Sequence, residues 1–417
     1  MAEISYSLPD RIQDSAEDKP VPGKTLSTVG TMAVPDIVFG AATLSTLYNT
    51  AEWLASDVPY RTLRLALRYG IRFIDTSPHY QESESVLGVC LQRLASEFPR
   101  DSYRLMSKCG REGSNFDYKP ESIRASVMRS LARLQTSYLD VVLLHDVEFV
   151  ASPVWPIPYC GDHERALSDP RVGAEWGLDF TKPARPWGSG DDSILAAIHE
   201  LQKMNEEGLV RAVGFSGYTL PTLLRLSRLI AQTPYLRPLD CVLSFCHSTL
   251  QNNRLELYIG PILQHGRVKQ IFTASPLSMG LLGPSRPAWH PAPVDMIEAS
   301  RVAQTSVLGG WSGGLPNLAL GFTMRRPKSH AETSPYNDVP TVIGLSTPQE
   351  VHEAVAVWRE ISIPGIKTVR ESKEHVVRSI FQAAGWLNWS WSTPANADFD
   401  KLAVDQLGRR VRPSPKP

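Results

Sequence analysis

Phe73-Ile74-Asp75-Thr76-Ser77-Pro78-His79-Tyr80 opens as a short apolar run, then passes through an acid into a polar turn that ends on a tyrosine. Three other segments share the pattern: Met106-Ser107-Lys108, Val141-Val142-Leu143-Leu144-His145 and Val213-Gly214-Phe215-Ser216-Gly217. Each reads as a buried strand that delivers a titratable, polar or glycine residue at its carboxyl end. In a parallel β/α barrel those ends share one face, where catalysis takes place. An Asp, a Tyr, a Lys and a His gathered there form a proton-handling set, so the pattern points to an enzyme. Tyr80 is the member whose pKa must move furthest.

Outward from these ends, short β-branched runs alternate with helix-period segments from about residue 37 to 362. The strands expected are Ile37–Gly40, Ile71–Asp75, Tyr103–Lys108, Leu139–His145, Val210–Phe215, Cys241–Phe245, Gln270–Ser275 and Thr341–Gly344. The helices expected are 60–69, 84–96, 121–133, 193–207, 219–230, 252–264, a split 294–325, and 348–361. Eight strands alternating with eight helices close most simply as a (β/α)8 TIM barrel. An open doubly wound sheet would carry a GxGxxG turn after its first strand, and Phe39-Gly40-Ala41-Ala42 is not one. Punctuation agrees with these bounds. Thr50, Ser56 or Asp57 can cap the first helix, Pro221 and Pro348 fit first turns, and Gly70 and Gly208 fit helix ends.

Residues 146–192 and 276–293 form long, proline-rich connections after the fourth and seventh strands; loops of that length overhang the active face. A C-terminal extension follows, with a helix expected over 371–384 and then Trp386, Trp389 and Trp391. The tryptophans could pack on the barrel wall or form a lid over substrate. The expected organisation is a flexible segment over 1–30, one barrel with its C-terminal helix over 31–392, and a tail over 393–417.

Lys+Arg and Asp+Glu both number 43 in 417 residues, and 42% of the chain is hydrophobic. Zero formal charge without a basic run argues against a nucleic-acid or anionic-membrane partner. No apolar stretch approaches the ~20 residues of a membrane span, and the first 30 residues lack the apolar core of a signal peptide. The five cysteines (Cys90, Cys109, Cys160, Cys241 and Cys246) are scattered without a CxxC. That pattern disfavours a disulfide framework or a zinc site and fits a reducing, cytoplasmic setting. Cys109, beside Lys108, is either a reactive thiol or a plain strand-end neighbour.

Gly70-Ile71-Arg72-Phe73-Ile74-Asp75-Thr76-Ser77-Pro78-His79-Tyr80, followed by Ser83-Glu84 and Leu87-Gly88, resembles the aldo-keto reductase signature. Lys108, Tyr138-Leu139-Asp140-Val141 leading to His145, and Gly214-Phe215-Ser216 match the family's later blocks in order, over roughly residues 34–362. Val242-Leu243-Ser244-Phe245-Cys246-His247-Ser248-Thr249-Leu250-Gln251 is similar to the branch of L-galactose and D-arabinose 1-dehydrogenases. The resemblance implies a tetrad of Asp75, Tyr80, Lys108 and His145. Tyr80 would be the general acid/base, with its pKa lowered by Lys108; Asp75 would hold Lys108, and His145 would polarise the reacting oxygen. It implies a nicotinamide cofactor along Ser216, Ser244, Ser275, Leu277, Gly344, Ser346 and Glu350, no metal, and a pocket edged by His79 and His247. His247 would sit at the rim, beneath the nicotinamide. Taken singly, each of these residues also has an ordinary structural explanation, such as a turn acid, a solvated lysine or a core histidine.

In NADPH-preferring members a Lys and an Arg clamp the 2′-phosphate, and the positions here are Gly344 and Glu350. A carboxylate repels that phosphate and can accept from a free ribose hydroxyl, so NAD is expected. Glu350 can equally be a first-turn acid that complements the helix dipole. The expected activity is NAD-dependent oxidation of an aldose of the D-arabinose, L-galactose or L-fucose type at C1 to the lactone. The alternatives are an NADPH-dependent aldehyde or ketone reductase and a non-catalytic barrel.

Overall fold

The computed structural model describes residues 6–153, 160–308, 310–325, 339–363 and 367–391, with two short strands beyond. Eight parallel strands close into a barrel in sequence order. They are β1 (Ile37–Gly40), β2 (Phe73–Asp75), β3 (Arg104–Cys109), β4 (Val141–Leu144), β5 (Val213–Gly217), β6 (Cys241–Phe245), β7 (Gln270–Ala274) and β8 (Thr341–Gly344). Helices α1 (Val58–Arg68), α2 (Ser83–Arg93), α3 (Pro120–Arg133), α4 (Ser189–Glu206), α5 (Leu220–Gln232) and α6 (Leu255–Gly266) follow β1 to β6 in turn. Two helices, α7 (Val294–Val307) and α8 (Gly314–Arg325), lie between β7 and β8, and α9 (Pro348–Ile361) follows β8.

Each strand is buried on both faces, which is why it reads as a nearly continuous apolar run. One alternation (Phe73, Met106, Val141, Leu143, Leu243 and Phe272) fills the barrel interior. The other (Ile74, Leu105, Val142, Leu144, Phe215 and Val242) packs against the helices. Continued upward, the interior parity places Asp75, Lys108, His145 and Ser216 inside the mouth. Helix boundaries follow local chemistry. Pro348 sits in the first turn of α9 and Thr347 Oγ1 accepts from the Glu350 amide at 3.2 Å. Gly70 and Gly208 end α1 and α4 at φ of 90° and 80°.

Described segments flanking the barrel on both sides, residues 6–35 and 367–391, pack against it. The segment expected to be flexible carries Asp18, whose buried carboxylate receives Arg61 at 2.9 Å and Arg64 at 3.2 Å from α1. Arg359 of α9 donates to Lys24 and Val21 carbonyls. A two-stranded turn, Thr28–Val29 with Val34–Pro35, sets Val34 into the interior core. Asp14 and Glu17 also pair with arginines of α1. At the other end α10 (Lys367–Ala383) packs on α7, and Trp386, Trp389 and Trp391 are buried in a cluster with α7 and α8. Gln251 Nε2 donates to the Trp386 and Trp389 carbonyls at 2.7 and 2.9 Å. The tryptophans are therefore packing residues. The expected tail over 393–417 lies largely outside the described residues; within it Ala403–Val404 pairs antiparallel with Arg410–Val411.

The long connections hold short helices of their own: Arg165–Ser168 and Pro170–Glu175 in the first, and a 3₁₀ turn at Ser278–Gly280 in the second. α4 starts at Ser189, before the expected 193. Asp191 in its first turn accepts from Ser152 and Trp187 amides and pairs with Arg225. No helix among the described residues is long and apolar enough to cross a membrane.

Candidate active site

Adjacent strands bring the tetrad together. Asp75 ends β2, and Lys108 lies next to the end of β3, where it pairs in register with Leu143 of β4. His145 follows β4 directly, and Tyr80 arrives on the 3₁₀ turn Pro78–Tyr80. Lys108 Nζ donates to Asp75 Oδ1 at 2.6 Å, to the Thr76 carbonyl at 3.1 Å and to Tyr80 Oη at 3.1 Å. All three ammonium donors are used, and the buried charge is paired. The Tyr80 and His145 rings meet edge-on at 5.7 Å.

Burial and neighbouring charge set the protonation states. Burial acts to lower the Lys108 pKa, but Asp75 and Tyr80 overcome it and the net direction is up. Burial raises the Asp75 carboxyl against the pull of Lys108. Burial, with help from the Asp75 and Asp146 charges, also raises the Tyr80 phenol, and outweighs Lys108. This reverses the expected direction for Tyr80: in this state the site holds a neutral phenol. Burial, then Lys108, hold His145 well below its ordinary value, so its imidazole is neutral. Ser77 Oγ lies 3.0 Å from His145 Nδ1 and accepts from the His79 amide at 3.1 Å. With Ser77 donating to Nδ1, the ring proton sits on Nε2 and is available to an oxygen placed beside Tyr80.

Sequence reasoning missed the residues that brace this set. Ser77 lies inside the motif, but nothing local to it tells that its hydroxyl meets His145. Tyr118 Oη donates to the His145 carbonyl at 2.7 Å. Asp146, next to His145, holds a left-handed φ of 56° and pairs with Arg111. Its Oδ2 lies 3.7 Å from His145 Nε2. Cys246 and Ser275, immediately after β6 and β7, also have positive φ, so backbone strain gathers at the strand ends facing the site. Glu84 receives Ser107 at 2.6 Å and Arg133 at 2.8 Å, which ties β3 and α3 to α2. At Gly88 a Cβ would fall 2.0 Å from the Arg133 carbonyl, so only glycine lets α2 and α3 come this close.

His79 is brought to the site, its ring 5.4 Å from that of His145; burial and the Arg111 and Lys108 charges pull its pKa to about 4. His247 is not at a rim. It is fully buried, with Nε2 2.9 Å from Ser390 Oγ and its ring 4.4 Å from Tyr218. The C-terminal segment covers it, which the sequence around His247 gave no means of foreseeing. Cys109 is a buried neighbour whose thiol is pushed up by burial, not a reactive thiolate.

The residues expected along the cofactor fall on one arc of the mouth, from β5 round to β8. Ser216 and Ser244 are buried, the Ser244 hydroxyl without a partner among the described residues. Ser275 and Leu277 are half-buried after β7. Gly344 ends β8 exposed, and Ser346 Oγ receives Asn49 at 3.2 Å. Glu350 Oε2 accepts from the Ser346 amide at 2.5 Å, so the carboxylate caps the start of α9. Tyr48 and Trp289, from the loops after β1 and β7, meet edge-on at 5.7 Å. Among the described residues no cluster of three or more His, Cys, Asp or Glu could hold a metal.

The sequence profile of the Aldo/keto reductase family matches residues 36–374. The chain belongs to the aldo/keto reductase family. It is 28% identical over 369 residues to "D-arabinose 1-dehydrogenase" of Saccharomyces cerevisiae, covering 87% of this chain and 95% of that protein. It is 30% identical over 364 residues to "L-galactose dehydrogenase" of Arabidopsis thaliana, covering 86% and 94%. Among solved structures, an aldo-keto reductase from Bacillus halodurans superposes with a TM-score of 0.54 at 19% identity, over 85% of this chain and 96% of that one. A glycerol dehydrogenase from Gluconobacter oxydans gives 0.51 at 17%, over 89% and 97%. At such identities these structures speak for the fold alone. This aldo/keto reductase is an oxidoreductase acting on CH–OH groups, of a family that uses nicotinamide cofactors.

Proposed function

We propose that the protein oxidises an aldose at C1 to the lactone with NAD, using Tyr80 as general base. The observation that carries this reading is the contact chain Asp75–Lys108–Tyr80, at 2.6 and 3.1 Å, beside a neutral His145. A bound nicotinamide cofactor would supply the hydride acceptor. Tyr80 must first lose its own proton to solvent; Lys108 stabilises that phenolate, Asp75 fixes the ammonium, and the phenolate Oη then takes the hydroxyl proton and returns to the phenol. His145 Nε2–H donates to the reacting oxygen and selects its position. Ser216, Ser244, Ser275, Leu277, Gly344, Ser346 and Glu350 would line the cofactor, and His79 the substrate pocket. That relatives named as D-arabinose and L-galactose dehydrogenases align over most of their length supports an aldose substrate. Glu350 supports NAD, because its carboxylate already holds the Ser346 amide and opposes a 2′-phosphate.

One observation favours a second reading. A Tyr80 phenol with raised pKa is a proton donor, the form that carbonyl reduction with NADPH requires. Initial rates with D-arabinose, L-galactose, L-fucose and simple aldehydes, each against NAD(H) and NADP(H), decide between the two. Saturable aldose oxidation with NAD supports the first; turnover of aldehydes with NADPH alone removes it.

A further inference from the structure

The connection after β4, residues 146–192, builds a cavity of about 200 Å³ against α5. It is lined by four cations, Lys182, Arg185, Arg225 and Arg228, and one carboxylate, Asp179. Arg225 is neutralised from behind by Asp191, at 2.5 and 3.0 Å. Lys182 pairs with Asp179 at 3.0 Å, and the same carboxylate also accepts from the Thr181 amide and hydroxyl. Among the described residues, Asp179 and Asp191 thus set two negative charges against the four cations, with Asp179 acting on both Lys182 and Arg228, and a surplus of two positive charges remains. Arg228 is only 4% exposed, and its guanidinium donates to the Asp179 and Lys182 carbonyls. Arg185 is exposed and lies 4.6 Å from the centre of the Trp187 ring, which walls the cavity.

The approach of these groups is built in. At Gly177, with φ of +73°, a Cβ would fall 2.8 Å from Arg225 Cδ and 2.9 Å from Trp187 Nε1. Arg225 and Arg228, three residues apart, share one face of α5. The Arg228 guanidinium donates to carbonyls, lies 5.2 Å from the centre of the Phe180 ring and shares the Asp179 charge with Lys182, so the cluster as a whole is incompletely compensated, and its planar donor fork suits an oxyanion. A surplus of two positive charges matches the near −2 of a phosphate monoester better than a single carboxylate. The volume lies below the ~300 Å³ at which drug-sized ligand pockets begin, which suits a small anion.

We infer that this cavity is a binding site for a phosphate group, set between Arg228 and Arg185 with Trp187 as its wall. Occupancy would tie the loop over the active face to α5, the helix that follows β5 and Ser216. The phosphate can be the free ion or part of a small organic phosphate, and the test separates them.

The test is calorimetric titration of the full chain with sodium phosphate, a pentose 5-phosphate, and sodium chloride at matched ionic strength, with tryptophan fluorescence followed in parallel. A saturable response to phosphate but not chloride is expected, weakened about tenfold or more in Arg185→Gln, a loss typical of one charge-assisted contact. The fluorescence change should disappear in Trp187→Phe. Tighter binding of the pentose phosphate assigns the site to an organic phosphate; equal binding assigns it to the free ion. Arg228→Gln also strips donors from two loop carbonyls, so Arg185→Gln, at an exposed position, is the deciding variant. Heats indistinguishable from chloride overturn the inference. So does a response that survives unchanged in Arg185→Gln, since the phosphate would then be binding elsewhere.

Discussion

Replacing Glu350 separates the capping contact seen in the structure from the cofactor-selecting role proposed for the same carboxylate. Its Oε2 accepts from the Ser346 amide at 2.5 Å, which caps α9; under the proposed function its charge also opposes a cofactor 2′-phosphate. Glu350→Gln retains an acceptor for the amide and removes the charge. Glu350→Arg removes the acceptor and reverses the charge. Opposed unit charges 4 Å apart interact by about 1 kcal/mol in bulk water and about 4 kcal/mol in the effective dielectric near a protein surface. For this exposed site we expect Glu350→Arg to shift the choice of NADP over NAD by about 1 to 3 kcal/mol, or about 5- to 150-fold. Glu350→Gln should give a smaller shift in the same direction. Because the site lies away from the hydride, kcat at saturating NAD should hold while kcat/KM for NADP rises. Loss of the cap should lower the unfolding free energy of Glu350→Arg by about 1 kcal/mol, and that of Glu350→Gln by less. The assay is kcat/KM for both cofactors with one aldose, plus urea unfolding. If the NADP to NAD ratio is the same in all three proteins, charge at position 350 does not set cofactor choice and the reasoning fails.

Tyr80→Phe should keep the fold and lose about 10² to 10⁴ in kcat, the usual worth of a general acid/base, measured as initial rates beside circular dichroism; near-normal turnover would remove Tyr80 from the proton path. Because the Tyr80 pKa is raised, oxidation should accelerate as pH rises while carbonyl reduction stays level. Lys108→Met should move the oxidation profile further alkaline, and an unmoved profile would show that Lys108 does not act on the phenol. Burial pulls His163 to about 4 from an ordinary 6.5, so below pH 6.5 the unfolded chain binds a proton that the native state does not. Stability should therefore fall from pH 6.5 towards 4, with about 2 kcal/mol from this group by pH 5. Urea unfolding at pH 7 and pH 5 should show His163→Gln less sensitive than the parent, and equal sensitivity would refute this.

The barrel and most of its tetrad were legible in the amino-acid order, because both depend on local periodicity. A strand buried on both faces must be an apolar run, and whatever ends it lies on the active face, so Asp75, Lys108 and His145 were legible one strand at a time. Cys241–Phe245 and Thr341–Gly344 matched the structure at both ends for the same reason. Groups that meet from distant parts of the chain were not legible in this way. His247 looks like a rim residue until residues 386–391 close over it, and Ser390, 143 positions away, takes its Nε2. The N-terminal segment looks solvated until Asp18 meets Arg61 and Arg64 of α1. The direction of the Tyr80 pKa could not be read from the presence of Lys108, because it is a balance between one ammonium and complete burial. Periodicity fixes which way a side chain points; burial, and the charges that distant segments bring to it, are properties of the assembled fold.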